Sequence, residues 1–321
     1  MTSLPETPSN VLVVRDGKVV HQESHGLADP VAGTPLTPDH RFQIASISKQ
    51  FTAAATLLLA DAGKLSVDDP LSKWVSGSPE SWKPLTLHHL LSNSSGIGHW
   101  NDYPEIDLGE PMPIDDLIAT FQQRELFCEP GSQFRYSSAG FCLLAHIVEL
   151  VSDTPYREFL DQRIFTPLGM TDTFAGNAGD RPNIAVGCAP DGTPREKLFE
   201  LDLVGRGAGD IWSTTTDMVT WNQAVADGRI LSDESRRRSF TPHVFCDSVF
   251  DEEHHYGYGW FVGTIKHPVR YHTGGNAGFE SFSGWFPELS AHVVFLTNRD
   301  GYFSEIGNEG QRELILEHLS G

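Results

Sequence analysis

Strand-forming sequence stands at both ends of this chain with helix-forming sequence between them, a layout that suggests one discontinuous domain with an insertion. Residues 10–27 read as a hairpin: Val11 to Val14 is a β-branched run, Asp16-Gly17 is a favoured tight turn and Val19-Val20 resumes the strand. The strand signal returns only in Tyr256 to Val262, Val269 to Thr273, Phe279 to Phe286 and His292 to Thr297, followed by a helical stretch at 304–319. Between these ends a helix is predicted from Lys49 through Leu59, closed at Gly63 where a left-handed cap belongs. Shorter helical candidates follow over 85–92, 114–124, 139–152 and 155–165, separated by segments rich in Pro, Gly and Ser. The expectation is an α+β fold: a discontinuous sheet domain from residues 1–45 and 210–321, and a mostly helical domain over 46–209.

The 321 residues, 39% of them hydrophobic, suffice for a substantial core and exclude both a disordered chain and a small disulfide-stapled module. The formal charge of −20 repels phosphate backbones and anionic membranes, so no nucleic-acid or membrane partner is expected. Ala53 to Ala60, the longest apolar stretch, is far shorter than the roughly 20 residues that span a bilayer. The amino-terminal Met1 to Glu6 carries neither a basic start nor an apolar leader, from which a cytoplasmic location is expected. Four scattered cysteines (Cys128, Cys142, Cys188, Cys246) form no CxxC pair and read as reduced packing residues.

The strongest chemical signal is Ser46-Ile47-Ser48-Lys49 at the start of the long helix. Positions three apart share a helix face, which brings a lysine amine to a serine hydroxyl. A serine is a poor nucleophile until a base takes its proton, and a desolvated lysine can be that base. Ser-x-x-Lys alone is common and usually means a capping serine beside an exposed lysine, so further motifs must decide. Two are present in order: Phe134-Arg135-Tyr136-Ser137-Ser138-Ala139-Gly140 before a helix, and Tyr271-His272-Thr273-Gly274-Gly275 in a strand.

With these three motifs the chain resembles the penicillin-recognising serine hydrolases: class C β-lactamases, DD-carboxypeptidases, D-aminopeptidases and related esterases and transacylases. The likeness extends through Leu85 to Gly96, Glu129-Pro130-Gly131, Thr166 to Met170, Ala208 to Thr214 and Tyr256 to Trp260. It implies a β-lactamase-like fold with the active-site groove between the sheet domain and the helical domain, needing no cofactor or metal. By the same resemblance Ser46 is the acylated nucleophile, with its own N–H as one oxyanion donor, and Lys49 is its amine partner. Tyr136 is then the tyrosine whose phenolate, held down by the lysine, relays protons, and Gly275 provides the second oxyanion N–H. Ser138, His272, Thr273 and Gly274 fall at substrate-binding positions. Two departures bear on substrate. The tyrosine motif usually ends in asparagine, and the shorter Ser138 cannot contact both lysine and an acylamino group. His272 stands where β-lactamases carry lysine, although histidine occurs in DD-carboxypeptidases and D-aminopeptidases.

The resemblance therefore implies acyl transfer through Ser46, with a small ester or a D-amino-acid peptide or amide as substrate. Alternatives are a transacylase passing the acyl group to an amine or alcohol, a true β-lactamase, and a non-catalytic binding relative. Oligomeric state is not legible. Elsewhere, Gly205 to Gly209 reads as a loop and not a nucleotide site, because it lacks the GxGxxG spacing. Asp251 to His255 reads as a solvated loop and not a metal site, because consecutive positions cannot converge. His88 and His89 are placed on a helix surface and Arg236 to Arg238 on a helix face paired with carboxylates. Trp100, Tyr103 and Phe279 are candidates to line the cleft.

Overall fold

The computed structural model describes residues 6–196, 198–249 and 252–320. Strands β1 (Ser9–Arg15) and β2 (Lys18–His25) form the expected hairpin, with Asp16 and Gly17 both at positive φ, the geometry of a type I′ turn. Two short strands, β3 (Leu27–Asp29) and β4 (Thr34–Pro35), pair with each other. Then β5 (Phe42–Gln43) leads into a single 3₁₀ turn, Ala45–Ile47, and α1 (Ser48–Asp61). The helical region holds α2 (Leu87–Leu91), α3 (Ile114–Gln122), α4 (Ser138–Ser152), α5 (Tyr156–Leu160) and α6 (Thr166–Leu168). Strands β6 (Phe174–Ala175) and β7 (Ile211–Ser213) join β5 in a three-stranded sheet ordered β5-β7-β6. Helices α7 (Thr215–Ala226) and α8 (Asp233–Ser239) follow, then β8 (Val244–Val249), β9 (Glu252–Tyr256), β10 (Phe261–Ile265), β11 (His267–Asn276), β12 (Phe279–Phe286), β13 (Ala291–Thr297) and α9 (Tyr302–Ser320).

The main sheet is antiparallel and eight-stranded, ordered β2-β1-β13-β12-β11-β10-β9-β8, so the amino-terminal hairpin docks on the last strand of the chain. Its central strands are buried on both faces, and their side chains alternate between two cores. Val11, Val13, Val293 and Phe295 face α9 with Ile315 and Leu319, while Leu12, Val14, Val294 and Leu296 face the helical body. The β-branched runs of β1 and β13 are thus explained by a three-layer arrangement with the sheet in the middle. On the helical side α1 is buried along nearly its whole length, which accounts for its small Ala and Thr positions. Gly63 ends it at φ +67. Among the described residues no helix is long and apolar enough to cross a membrane.

Two local readings need correction. Tyr256 to Val262 is not one strand: Tyr256 ends β9, Phe261 starts β10, and the residues between form a turn pressed against α1. A Cβ on Gly257 would lie 2.1 Å from the Ser239 carbonyl oxygen, and one on Gly259, itself at φ +76, 2.7 Å from the Lys49 carbonyl oxygen. Residues 252–256 are a strand and not a solvated loop, with His254 and Tyr256 fully buried; Asp251 lies outside the described residues. The imidazole of His254 lies over Gly263 of β10, where any side chain would collide with it. His88 and His89 are half-buried, with His88 Nδ1 2.6 Å from the Tyr258 hydroxyl. On α8 the arginines do pair with Asp233 and Glu234.

Candidate active site

The residue before Ser46 is bent into an unusual conformation. Ala45 is fully buried at φ +48, a left-handed backbone that a side chain disfavours and that persists only where its surroundings enforce it. Those surroundings are β11 and β12. Ser281 Oγ donates to the Ile44 carbonyl at 2.9 Å, and a Cβ on Gly274 would lie 2.3 Å from that same oxygen. Gly274 therefore lets β11 close on the Ser46 turn, a direct physical reason for a glycine there. From the other side Ser48 Oγ accepts the Ile211 N–H at 3.1 Å, tying the start of α1 to β7.

At the second residue of α1, Lys49 is fully buried and its Nζ donates to Ser46 Oγ at 3.0 Å and to the Ala208 carbonyl at 2.7 Å. The segment carrying Ala208 is clamped in turn. Thr52 Oγ1 donates to the Gly207 carbonyl at 2.6 Å and accepts from the buried Tyr156 hydroxyl at 2.6 Å. A side chain on Gly207 would strike Ala145 and the Phe141 carbonyl of α4. The glycine-rich segment 205–209, read from sequence as a loop and not a nucleotide site, forms part of the wall of the site through Ala208 and Gly209. Burial in this apolar setting pushes the Lys49 amine down to about 7, with Cys142 and Asp210 acting weakly in the other direction. Near neutral pH a large fraction of Lys49 is the free base, which can accept a proton from Ser46.

Tyr136 lies on the segment just before α4, held there by backbone bonds on both sides. The Arg135 N–H reaches the Asn93 carbonyl at 2.7 Å, and the Ser137 N–H reaches Asn93 Oδ1 at 2.9 Å. Ser137 caps α4, accepting from Gly140 N while its hydroxyl donates to the Gly98 carbonyl. The Tyr136 hydroxyl is hydrogen-bonded with Ser46, and the Lys49 Nζ sits 4.9 Å from the ring centroid. The ring retains partial exposure, but enclosure of the hydroxyl drives its pKa well above that of a free phenol. Burial thus opposes the phenolate that the family resemblance implies for Tyr136 and favours the neutral phenol.

Ser46 and Gly275 both open onto a cavity of about 420 Å³, and a Cβ on Gly275 would meet nothing within 4 Å. Ser138 also lines it. Lys49, Tyr136, Thr273 and Gly274 are not among its lining residues: Lys49 is fully buried in α1, and Thr273 and Gly274 lie on β11 just before Gly275. His272 is the clearest departure from expectation. It is buried to 1% exposure, Nε2 accepts from the Tyr256 hydroxyl at 2.9 Å and Nδ1 donates to the Thr273 carbonyl. Desolvation and the nearby Lys49 push it down to about 3, so it is a neutral structural imidazole and not a cation facing substrate. Of the aromatic candidates only Trp100 reaches the cavity; Tyr103 and Phe279 are buried in the core.

The lining residues that escaped the sequence reading include His99, Asn101, Asn276 and Phe199. His99 Nδ1 accepts the Ser138 N–H at 3.3 Å, which leaves the ring proton on Nε2, and its ring packs edge-on against Tyr136 at 5.3 Å. Burial and the neighbouring Lys49 hold it down to about 4. Asn276 Nδ2 donates to Gln43 Oε1 at 2.8 Å and to the Gly209 carbonyl at 3.0 Å. Position gives the only sequence signal: His99 follows the Leu90-to-Gly96 motif and Asn276 follows Gly274-Gly275. Among the described residues no three His, Cys, Asp or Glu side chains converge as metal ligands.

The family profile described as Beta-lactamase matches residues 9–317. Penicillin-binding protein 4* of Bacillus subtilis (strain 168) is 27% identical over 310 residues, covering 90% of this chain and 68% of that protein. Protein flp of Staphylococcus aureus (strain MRSA252) is 26% identical over 298 residues, covering 90% of this chain and 59% of that protein; the chain thus spans about three-fifths to two-thirds of these relatives. The crystal structure of a penicillin binding protein from Bacillus halodurans superposes with a TM-score of 0.84 at 27% identity, over 97% of this chain and 95% of that one. Fold, motif order and the profile match agree: the chain belongs to the beta-lactamase family, the penicillin-recognising serine hydrolases.

Proposed function

We propose that this protein hydrolyses an ester or amide through an acyl-enzyme on Ser46. The observation that carries the reading is the 3.0 Å contact between Ser46 Oγ and a buried Lys49 Nζ whose ammonium form is disfavoured by desolvation. As Ser46 Oγ attacks the substrate carbonyl, its proton passes to the neutral amine of Lys49. The carbonyl oxygen takes up the negative charge and is stabilised by the N–H groups of Ser46 and Gly275, two residues that line the cavity. Collapse of the tetrahedral species breaks the bond to the leaving group, which takes a proton from the Tyr136 hydroxyl. Tyr136 is refilled by the Lys49 ammonium, returning the amine to its neutral form. Water then repeats the sequence on the acyl ester, releasing the acid and restoring Ser46.

This order differs from the phenolate mechanism because a phenol raised by burial holds its proton at neutral pH, whereas the amine does not. Intact-mass spectrometry after incubation with a fluorophosphonate tests the assignment. One adduct per chain is expected on the Ser46 peptide, absent in Ser46→Ala. Labelling at Ser94, Ser137 or Ser213, or no adduct at all, overturns it.

A further inference from the structure

We propose that the cavity in front of Ser46 accepts substrates whose acyl portion is uncharged and largely apolar, and rejects acyl groups bearing a carboxylate or an ammonium. The proposal rests on the Ser46 acyl-enzyme reading and narrows its substrate class. Among the described residues no Asp, Glu, Lys or Arg lines the cavity. The polar side chains that do, Ser138, His99, Asn101 and Asn276 beside Ser46 itself, are all neutral, and the rest of the wall is built mainly from Trp100, Leu108, Leu198 and Phe199.

Among the described residues, several charged groups on the neighbouring segments are engaged elsewhere. Arg135 binds Asp102 at 2.6 Å, and Arg195 binds Asp300 at 2.8 Å. The Glu200 carboxylate accepts the backbone N–H groups of Asp202, Leu203 and Val204. Lys49 is fully buried with its amine spent on Ser46 and Ala208. The one cation expected from sequence to read a substrate carboxylate, His272, is enclosed with both ring nitrogens bonded.

His99 and Asn276 sharpen the picture. With Nδ1 occupied by the Ser138 N–H, His99 offers only its Nε2 proton. With both Asn276 Nδ2 protons directed to Gln43 and Gly209, the amide retains only its oxygen as a free function. The wall therefore provides single neutral hydrogen bonds. It provides no ion pair that would offset desolvation of a charged acyl group, and burying an unpaired charge is strongly unfavourable.

The test uses the full chain and three rigid p-nitrophenyl esters of similar shape: 4-ethylbenzoate, 4-carboxybenzoate and 4-(aminomethyl)benzoate, assayed at pH 7.5. The ethyl ester is expected to exceed each charged ester in kcat/KM by about 30-fold or more, as one unpaired buried charge implies. Asn101→Arg, which places a cation at the exposed edge of the cavity, is expected to improve the 4-carboxybenzoate relative to the ethyl ester and to worsen the 4-(aminomethyl)benzoate. Equal rates on the three esters, a preference for either charged one, or an Asn101→Arg effect of the same sign on both charged esters overturns the proposal. If instead none of the esters acylates Ser46 by mass while another serine is modified, the acyl-enzyme reading has failed, and the proposal falls with it.

Discussion

Replacing Lys49 by methionine separates what the buried amine does for catalysis from what it does to stability. Holding its pKa at about 7, against 10.5 for a free lysine, forgoes roughly 5 kcal/mol of stability at neutral pH, at about 1.4 kcal/mol per tenfold change in proton affinity. The unfolded chain binds a proton that the folded chain releases between pH 7 and 10.5, so stability rises with pH across that window. Below pH 7 the penalty is fully present, and above 10.5 it vanishes. Lys49→Met removes the penalty but leaves the Ala208 carbonyl, now bonded at 2.7 Å, without its donor, a cost of about 1–3 kcal/mol. The net expectation is a variant without hydrolytic activity that is about 2–4 kcal/mol more stable than the parent at pH 7. As wild type gains on it by about 1.4 kcal/mol per pH unit, the two stabilities should converge near pH 9. Urea unfolding at pH 7, 8 and 9 with an unchanged m-value measures this directly. A variant destabilised at pH 7, or a difference that does not vary with pH, would refute the claim that Lys49 is held neutral by burial.

Gly274→Ala inserts a methyl 2.3 Å from the Ile44 carbonyl and 2.4 Å from Ser281 Oγ. It should abolish turnover and lower stability by about 2–3 kcal/mol, read by activity assay and urea melt, whereas Gly275→Ala, facing open space, should leave stability unchanged. Tyr136→Phe should keep the fold and lower kcat by a factor on the order of 10² to 10⁴ on amides, with a smaller loss on p-nitrophenyl esters, whose leaving group departs without a proton.

Local signals made the fold readable where periodicity and turn chemistry agreed. The β-branched runs of β1 and β13, the Asp16-Gly17 turn and the Ala-rich α1 each express one dominant force. The reading failed where a glycine served a distant contact: Gly257 and Gly259 fit the turn against α1 and α8, and Gly263 makes room for His254, none of which a local window can register. At the site, Ser46, Lys49 and Tyr136 were legible as motifs because each belongs to a short run with fixed spacing. Their protonation states were not, since these depend on enclosure by segments far away in sequence. His272 shows this best. Its position suggested a cation, but the Tyr256 hydroxyl and Thr273 carbonyl convert it into a neutral brace. His99 and Asn276 carry no motif of their own and became visible only once the loops met around the cavity.

The central claim is that neutral Lys49 deprotonates Ser46 while Tyr136 remains a phenol. The most direct measurement is the pre-steady-state rate of Ser46 acylation by a p-nitrophenyl ester, followed from pH 5.5 to 9.5. A single ascending limb with a midpoint at about 7, followed by a plateau and removed in Lys49→Met, is the predicted result. A midpoint near the ordinary lysine value, or a rate that falls over the same interval, would contradict it.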